Sequence, residues 1–366
     1  MPIRAMFAGG GTGGHLFPAI AIAAELRRLE PSAKILFVGT KNKLEARVVP
    51  KHGYEFRTIW ISGFRRGFHL SNLLFPLKLV IGMIQAHSII AKFKPDVVIG
   101  TGGYVSGPVL RAAMMRGIPT IIQEQNSFPG VTTRILAMKA NEVHVSFPGS
   151  GDFFKRKDNI ILSGNPTRSD LEHADRGEAL RYFGFEAAPK KTLLVFGGSL
   201  GAHSINVAVQ SNLEKLMNTG LRLIWQTGEQ DFAAAQQAGG SYPPSDFWVG
   251  AFLDRMDYAY AVSDLVVCRA GATTIAELTR LGKAALLIPY PHAAANHQAE
   301  NASALKAEGA AEVLDDKMAS HDLLNMVVSL LDEGRLNEIG KKSKSLGKPD
   351  AASDIAKRAI ALAARN

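Results

Sequence analysis

Residues 9–18 read Gly9-Gly10-Gly11-Thr12-Gly13-Gly14-His15-Leu16-Phe17-Pro18, between an apolar run at 3–8 and a helix-like run at 19–29. Glycine lets the backbone turn tightly and approach a ligand, and five glycines in residues 9–14 exceed the needs of one turn. A strand, a glycine turn and a helix start form an anion site, because free N–H groups and the helix dipole point at it. The stretch therefore predicts a phosphate-bearing ligand, with His15 at the edge of the loop where a proton could be moved.

The composition is that of a globular protein with an anionic partner. A length of 366 residues suits two domains. A content of 46% hydrophobic and 20% charged residues is ordinary for a globular protein with a large core. The net charge of +9 favours nucleic acid, a phosphorylated substrate or an acidic membrane surface without choosing among them. Cys268 is the only cysteine and lies in an apolar run, which predicts a buried thiol in a reducing compartment.

No targeting or spanning segment is expected. Glycine follows the first strand where a secretory signal would need its apolar core. Residues 70–90 come nearest to a membrane span, but polar residues and a proline interrupt them, which argues against spanning.

Strand, glycine loop and helix recur along the chain. Apolar runs at 96–100, 192–196 and 264–268 each lead into a glycine-containing loop and then a helix-like stretch. The runs are continuous rather than alternating, which is typical of parallel sheets covered on both faces. The pattern predicts an α/β protein built from doubly wound domains.

The order of these units predicts two domains. Gly164-Asn165-Pro166 is a candidate hinge between domains at 1–165 and 166–349. An amphipathic helix within 350–366 is expected to pack back on the first domain. Ligands of open α/β sheets bind at the carboxyl ends of the strands, so we expect the glycine loops to face a shared cleft.

A nicotinamide site is one alternative for the first loop. Gly9, Gly11 and Gly14 fit the G-x-G-x-x-G pattern. Such a site also needs an acidic residue at the end of the second strand, and the run at 34–40 ends in threonine. A dehydrogenase is therefore disfavoured.

The second domain carries a stronger nucleotide signal. Residues 269–277 place backbone N–H groups, Thr273 and Thr274 at a helix start, with Glu277 one turn further, where it suits two ribose hydroxyls. The alternative is that Glu277 is a solvated helix residue. Ser199 could donate to a phosphate, and Arg168 could supply a cation.

The catalytic base has two candidates. His15 directly follows the glycine loop, and Glu124 lies in Gln123-Glu124-Gln125-Asn126. Asn126 could hydrogen-bond a sugar hydroxyl or amide. No D-x-D triplet occurs, and His292 and His297 lack zinc-helix spacing, so no metal or other cofactor is expected.

The stretch at 61–80 combines apolar and basic side chains, among them Phe64, Arg65, Arg66, Phe68, Phe75 and Lys78. One interpretation is a core helix preceded by a solvated basic loop. The other is an interfacial patch on an anionic membrane, with aromatic side chains at the acyl boundary.

Taken together, the motifs resemble the MurG family of bacterial peptidoglycan glycosyltransferases. The matching segments run in order along the chain: 10–18, 102–108, 124–126, 164–168, 197–202 and 268–277. The resemblance implies the two-domain GT-B fold and inverting transfer of N-acetylglucosamine from UDP-GlcNAc to the C4 hydroxyl of the muramyl sugar of lipid I, giving lipid II.

The resemblance also implies site residues and a location. Donor contacts would fall on Thr12, Gly13, Gly14, Asn126, Arg168, Ser199, Leu253, Ala272, Thr273, Thr274, Ile275, Ala276, Glu277 and Gln298. An acceptor loop would include Gly103, Tyr104 and Ser106. The lipid acceptor favours the membrane interpretation of 61–80, a peripheral location on the cytoplasmic face of the plasma membrane, and no nucleic-acid partner.

Two further alternatives share the fold. A UDP-GlcNAc epimerase would act without an acceptor. A non-catalytic, membrane-associated sugar-nucleotide-binding subunit would bind UDP-GlcNAc and release no UDP.

Overall fold

The computed structural model describes residues 2–63, 74–185, 189–198, 200–293 and 296–365. The chain folds into two compact units, Met1–Thr167 with Lys348–Asn366, and Arg168–Gly347. Each unit has its own sheet and is described by itself.

The first unit has a seven-stranded parallel sheet in the order β3-β2-β1-β4-β5-β6-β7. Its elements are β1 (Arg4–Gly9), α1 (Gly13–Leu29), β2 (Lys34–Gly39), α2 (Leu44–Lys51), β3 (Glu55–Thr58), α3 (Phe75–Phe93), β4 (Val97–Gly102), α4 (Ser106–Met115), β5 (Thr120–Glu124), α5 (Val131–Ala137), β6 (Glu142–Val145) and β7 (Ile160–Leu162).

The second unit has a six-stranded parallel sheet in the order β10-β9-β8-β11-β12-β13. Its elements are α6 (Arg176–Phe183), β8 (Thr192–Phe196), α7 (His203–Met217), β9 (Arg222–Gln226), α8 (Phe232–Gly239), β10 (Phe247–Gly250), α9 (Met256–Val262), β11 (Leu265–Cys268), α10 (Ala272–Leu281), β12 (Ala284–Leu287), α11 (His297–Ala307), β13 (Glu312–Val313), α12 (Ala319–Leu330) and α13 (Glu333–Leu346).

The central strands are buried on both faces, as their continuous apolar runs predict. In β1, Met6 and Ala8 belong to the core on one side of the sheet, while Ala5 and Phe7 belong to the core on the other. The same strand therefore supplies two cores, which is the geometry of a doubly wound sheet. The predicted α/β class is confirmed.

The last helix, α14 (Ala351–Ala363), returns to the first unit. Ile355, Ala356 and Ala359 are buried in the core that also contains Phe7. The Arg358 guanidinium pairs with the carboxylate of Glu142 on β6. Apolar packing and one ion pair thus hold α14 against this unit.

The first helix begins earlier than its sequence indicates. The sequence gives a helix-like run only from residue 19, directly after Pro18. In the structure α1 begins at Gly13 and continues through Pro18, with Thr12 as its N-cap. The glycine loop leads directly into the helix, so His15 lies in its first turn.

Candidate active site

A buried carboxylate anchors the first glycine loop. Glu45 at the start of α2 is 0% exposed. Its oxygens accept the Gly11 N–H at 2.9 Å, the Thr40 N–H at 3.0 Å and the Thr40 hydroxyl at 2.7 Å. Sequence reasoning missed Glu45, although it is the first acidic residue after β2. It binds the protein's own loop, so it does not supply the ribose contact of a nicotinamide site.

The loop after β4 packs against the loop after β1. Gly102 and Gly103 have φ values of +100° and +78°, which favour glycine. A Cβ atom on Gly102 would lie 2.6 Å from His15 Nδ1, and one on Gly103 would lie 2.3 Å from the Gly10 carbonyl oxygen. These glycines therefore let the two loops approach each other and confine the imidazole.

The imidazole of His15 has two oxygen neighbours. Its Nδ1 atom lies 3.1 Å from the Thr101 carbonyl oxygen and 3.0 Å from Gln125 Oε1. The Thr101 hydroxyl donates to the His15 carbonyl oxygen at 2.7 Å and so fixes the backbone as well. Helix α1, β4 and the end of β5 together hold this side chain.

Glu124, the rival base, is buried and bonded to its own loop. It accepts the Asn126 N–H at 3.2 Å, the Asn126 side-chain amide at 3.3 Å and the Gly130 N–H at 3.2 Å. A carboxylate with three donors from one loop orders that loop. The geometry thus gives Glu124 an anchoring role and leaves Asn126 partly exposed beside it.

The predicted acceptor loop contains one exposed and one buried side chain. Tyr104 is 59% exposed, and its ring lies against Gly63, where a Cβ atom would be 1.9 Å from the ring carbon Cζ. The buried Ser106 hydroxyl accepts the Gly102 N–H at 3.0 Å and lies 2.6 Å from the Ala8 carbonyl oxygen. Ser106 therefore supports the turn, while Tyr104 faces solvent.

In the second unit, the start of α10 offers backbone donors that have no partner within the helix. Gly271 is the N-cap in an extended conformation and has no side chain with which to cap the helix. The first N–H groups of an α-helix have no partner within the helix. Ala272, Thr273, Thr274, Ile275 and Ala276 form this turn. It is chemically suited to an anion.

A buried tyrosine orients Glu277. The Tyr260 hydroxyl donates to Glu277 Oε2 at 2.9 Å, and Tyr260 is buried on α9. Burial, reinforced by the negative charge of Glu277, raises the pKa of Tyr260 well above its usual value, so the hydroxyl remains a donor. Burial likewise raises the pKa of the Cys268 thiol, and the predicted buried cysteine is confirmed.

Three further predicted donor contacts, Arg168, Leu253 and Gln298, occupy different environments. Arg168 is exposed and lines an open depression of about 380 Å³ with His173 and Tyr258. Leu253 is buried after β10. Gln298 Oε1 accepts the Tyr290 N–H at 2.9 Å, so its amide is already engaged with a neighbouring loop. Ser199 lies outside the described residues.

A buried arginine braces the strand ends of the second unit. Arg269 follows β11, and its guanidinium donates to the Ile288 carbonyl oxygen at 3.0 Å, to Asp316 at 2.5 Å and to the Ser204 hydroxyl at 2.7 Å. These contacts connect the loops after β11 and β12 with the first turn of α7. Sequence reasoning included Arg269 in a motif without giving it this role.

Two further observations concern metals and membranes. Across the described part of the chain, no group of three or more His, Cys, Asp and Glu residues could hold a metal ion. Within the same residues, no helix has both the length and the apolar character needed to cross a bilayer.

Comparison with known proteins adds to this geometry. The model described as the glycosyltransferase family 28 N-terminal domain matches residues 5–145, and that described as the C-terminal domain matches residues 192–358. A UDP-N-acetylglucosamine–N-acetylmuramyl-(pentapeptide) pyrophosphoryl-undecaprenol N-acetylglucosamine transferase of Christiangramia forsetii is 45% identical over 356 residues, 96% of each chain. The protein of the same name from Prosthecochloris aestuarii is 46% identical over 364 residues, 98% of each chain.

Solved structures show the same architecture. The crystal structure of Acinetobacter baumannii MurG matches with a TM-score of 0.77 and 28% identity, covering 98% of this chain and 100% of that one. A UDP-GlcNAc 2-epimerase from Neisseria meningitidis matches with a TM-score of 0.70 over all of both chains. Its 13% identity supports a common fold and nothing about activity.

Proposed function

The chain belongs to glycosyltransferase family 28, and from this premise we propose that it transfers N-acetylglucosamine from UDP-GlcNAc to the muramyl sugar of lipid I, producing lipid II for peptidoglycan. The observation that carries the reaction is 45% identity over 96% of a transferase named for it. The family resemblance and the two-sheet α/β architecture predicted from the sequence are confirmed.

We assign the donor to the second unit. The N–H groups at the start of α10, with Thr273 and Thr274, suit the diphosphate, and exposed Arg168 supplies a cation. Glu277, held by Tyr260, accepts hydrogen bonds from the ribose hydroxyls. Leu253, Ser199 and Gln298 remain donor contacts predicted from the resemblance. The resemblance also predicts donor contacts for Thr12, Gly13, Gly14 and Asn126 of the first unit.

The chemistry follows from where charge develops. The acceptor C4 oxygen forms a bond to the anomeric carbon of the donor as the bond from that carbon to the UDP oxygen breaks. Attack from the face opposite UDP converts the α-linked donor into a β-linked product. The departing diphosphate gains negative charge, which the oriented N–H groups and Arg168 stabilise.

His15 is the base in this proposal. Its Nε2 atom takes the proton of the C4 hydroxyl, a contribution of about 10²- to 10⁴-fold in rate. Glu124 is the weaker candidate because its carboxylate already accepts three hydrogen bonds from the 126–130 loop. The acceptor loop with Gly103, Tyr104 and Ser106 then presents the exposed Tyr104 to the acceptor.

The membrane face of the first unit is assigned to α3. This helix buries Gly82, Ala86 and Ile90 while Leu77, Val80 and Ile84 are 51%, 58% and 64% exposed. One face of α3 is therefore packed in the core, and the exposed face is the one that we assign to the proposed membrane contact. The Lys78 ammonium lies 3.0 Å from the Ser62 hydroxyl and 5.6 Å from the centre of the Trp60 ring, at the edge of the apolar face.

Exposed apolar side chains beside Lys78 suit an anionic bilayer, and we propose that the enzyme binds peripherally to the cytoplasmic face of the plasma membrane. Phe75 lies at the start of α3. Phe64, Arg65, Arg66 and Phe68, also predicted for this patch, lie outside the described residues. Flotation with anionic and with zwitterionic vesicles tests the assignment. Combined Leu77→Ser, Val80→Ser and Ile84→Ser substitutions should abolish binding to anionic vesicles while leaving UDP binding intact.

The test of the reaction is UDP release from UDP-GlcNAc with and without a lipid I analogue, in the presence and absence of EDTA. Acceptor-dependent release supports the transferase. Conversion of UDP-GlcNAc to an epimer without acceptor would show that the protein is an epimerase and not a transferase. Donor binding without release would leave only a binding subunit.

A further inference from the structure

The side-chain amide of Gln125 is buried beside His15 and does not contact the substrate in the proposed reaction. Gln125 follows β5 and is 2% exposed. Its Nε2 group donates to the Thr101 carbonyl oxygen at 2.7 Å, and the Gln123 carbonyl oxygen lies at 3.2 Å. Gln123 Oε1 is also in contact with it. Because these neighbours are all acceptors, the NH₂ end must face them.

The orientation of this amide fixes the proton on the imidazole. With its NH₂ end held by acceptors, Gln125 presents Oε1 to His15 Nδ1 at 3.0 Å. The Thr101 carbonyl oxygen approaches the same nitrogen at 3.1 Å. Both oxygens only accept, so Nδ1 must carry the proton, and Nε2 of the neutral ring keeps its lone pair.

We propose that Gln125 is a positioning residue for His15, which holds the proton on Nδ1 so that Nε2 can accept the proton of the acceptor hydroxyl. This inference rests on the proposed role of His15 as base. The backbone restricts the ring as well, since a Cβ atom on Gly102 would lie 2.6 Å from Nδ1. The structure thus determines both the tautomer and the place of the ring.

An amide in this position differs from a carboxylate. A carboxylate beside a histidine stabilises the charged imidazolium, whereas a neutral amide orients the ring without that full charge. Gln125 therefore orients the ring without adding a negative charge that would favour the imidazolium. This difference predicts that replacing the neutral amide at position 125 by a carboxylate will change how readily His15 is protonated, and a substitution can test it.

Two variants test the charge and the acceptor separately. Gln125→Glu should move the acid limb of the kcat/KM profile upward by about one pH unit, because the carboxylate stabilises the imidazolium. Gln125→Leu should lower kcat about 10- to 100-fold with an unchanged donor KM, less than the full loss of a base because the Thr101 carbonyl still accepts. A merely structural role would leave the acid limb in place.

A direct measurement of the tautomer accompanies the kinetics. Nitrogen-15 NMR of histidine-labelled protein reports which ring nitrogen is protonated, and His15→Gln identifies the His15 signals. We expect protonated Nδ1 in the parent and a mixture in Gln125→Leu. Asn159→Leu is the matched control, since it removes another buried amide, at the amino end of β7, and should alter neither readout.

The outcomes distinguish this inference from the proposed function. An unchanged tautomer in Gln125→Leu overturns the role of Gln125. An unmoved acid limb in Gln125→Glu overturns that role where His15→Ala has lost its turnover, and removes His15 as base where His15→Ala has kept it. A changed tautomer with full turnover supports the tautomer assignment and removes His15 as base. A changed tautomer with reduced kcat supports both.

Discussion

The ion pair between α14 and β6 gives a stability prediction with a defined pH dependence. Arg358 Nε lies 3.0 Å from both Glu142 carboxylate oxygens, and His144 Nε2 lies 3.1 Å from Oε2. Burial alone would raise the pKa of Glu142, but hydrogen bonds from His144 and Arg358, with their charges, lower that pKa to about 2. The folded state therefore holds this carboxylate ionised.

The perturbation is Glu142→Gln. A fall in pKa from 4.5 to about 2 corresponds to about 3 kcal/mol. Arg358 is 54% exposed, so solvent screening reduces the expected loss of unfolding free energy at pH 7 to about 2 kcal/mol. Because the folded pKa lies below the unfolded value, the stabilisation is complete above about pH 4.5 and disappears as the pH falls towards 2.

Urea unfolding between pH 7 and pH 3.5 measures the difference in unfolding free energy between parent and variant. Hydrogen exchange at pH 7 should show that α14 loses protection first. Glu338→Gln is the matched control, since Glu338 forms only exposed pairs, with Arg335 and Lys342 on α13, and the substitution should leave the unfolding free energy essentially unchanged. A loss for Glu142→Gln equal to the control, or one that grows as the pH falls, would refute the reasoning.

The remaining predictions concern the two units separately. His15→Ala should lower kcat at least about 100-fold with donor KM nearly unchanged, whereas Glu124→Gln should mainly lower thermal stability; steady-state kinetics with melting curves decide which residue is the base. Tyr260→Phe removes the hydrogen bond to Glu277 and should raise the donor KM about fivefold, equivalent to about 1 kcal/mol, with kcat retained; an unaltered KM would contradict the positioning of Glu277. Burial lowers the pKa of Lys283 to about 8, below its ordinary 10.5. Between about pH 8 and 10.5 the unfolded chain therefore binds a proton that the folded protein has lost, and the unfolding free energy should rise with pH. Denaturant titrations should show that rise in the parent and not in Lys283→Met.

The fold could be predicted from the sequence because its signals are local. Continuous apolar runs specify strands buried on two faces, and β1 with its two cores behaves in that way. Glycines at strand ends locate the loops that carry the site. The apolar run at 19–29 did not reveal that the helix starts at Gly13, because residues 13–18 contain two glycines and Pro18, whose missing N–H α1 tolerates.

Three positioning residues could not be predicted because their partners are distant in sequence. Glu45 bonds Gly11, and Tyr260 bonds Glu277 from another helix. Gln125 meets His15, 110 positions earlier in the chain. Composition and periodicity do not say which buried polar group will meet which, since that depends on how the sheet brings strand ends together. The motifs indicated candidate ligand contacts and did not identify the side chains that hold those contacts in position.

The two units also show why similar glycine loops need not bind similar ligands. Both follow a strand and open a helix, and both predict an anion site in the sequence. In the first unit the Gly11 N–H is already bonded to the buried Glu45 carboxylate, whose negative charge would oppose a phosphate. Both α1 and α10 begin without a side-chain cap, so what differs between the two loops is this buried carboxylate. The diphosphate is therefore expected at α10. The first loop, which the Glu45 carboxylate holds through the Gly11 N–H, is suited to keeping His15 in place.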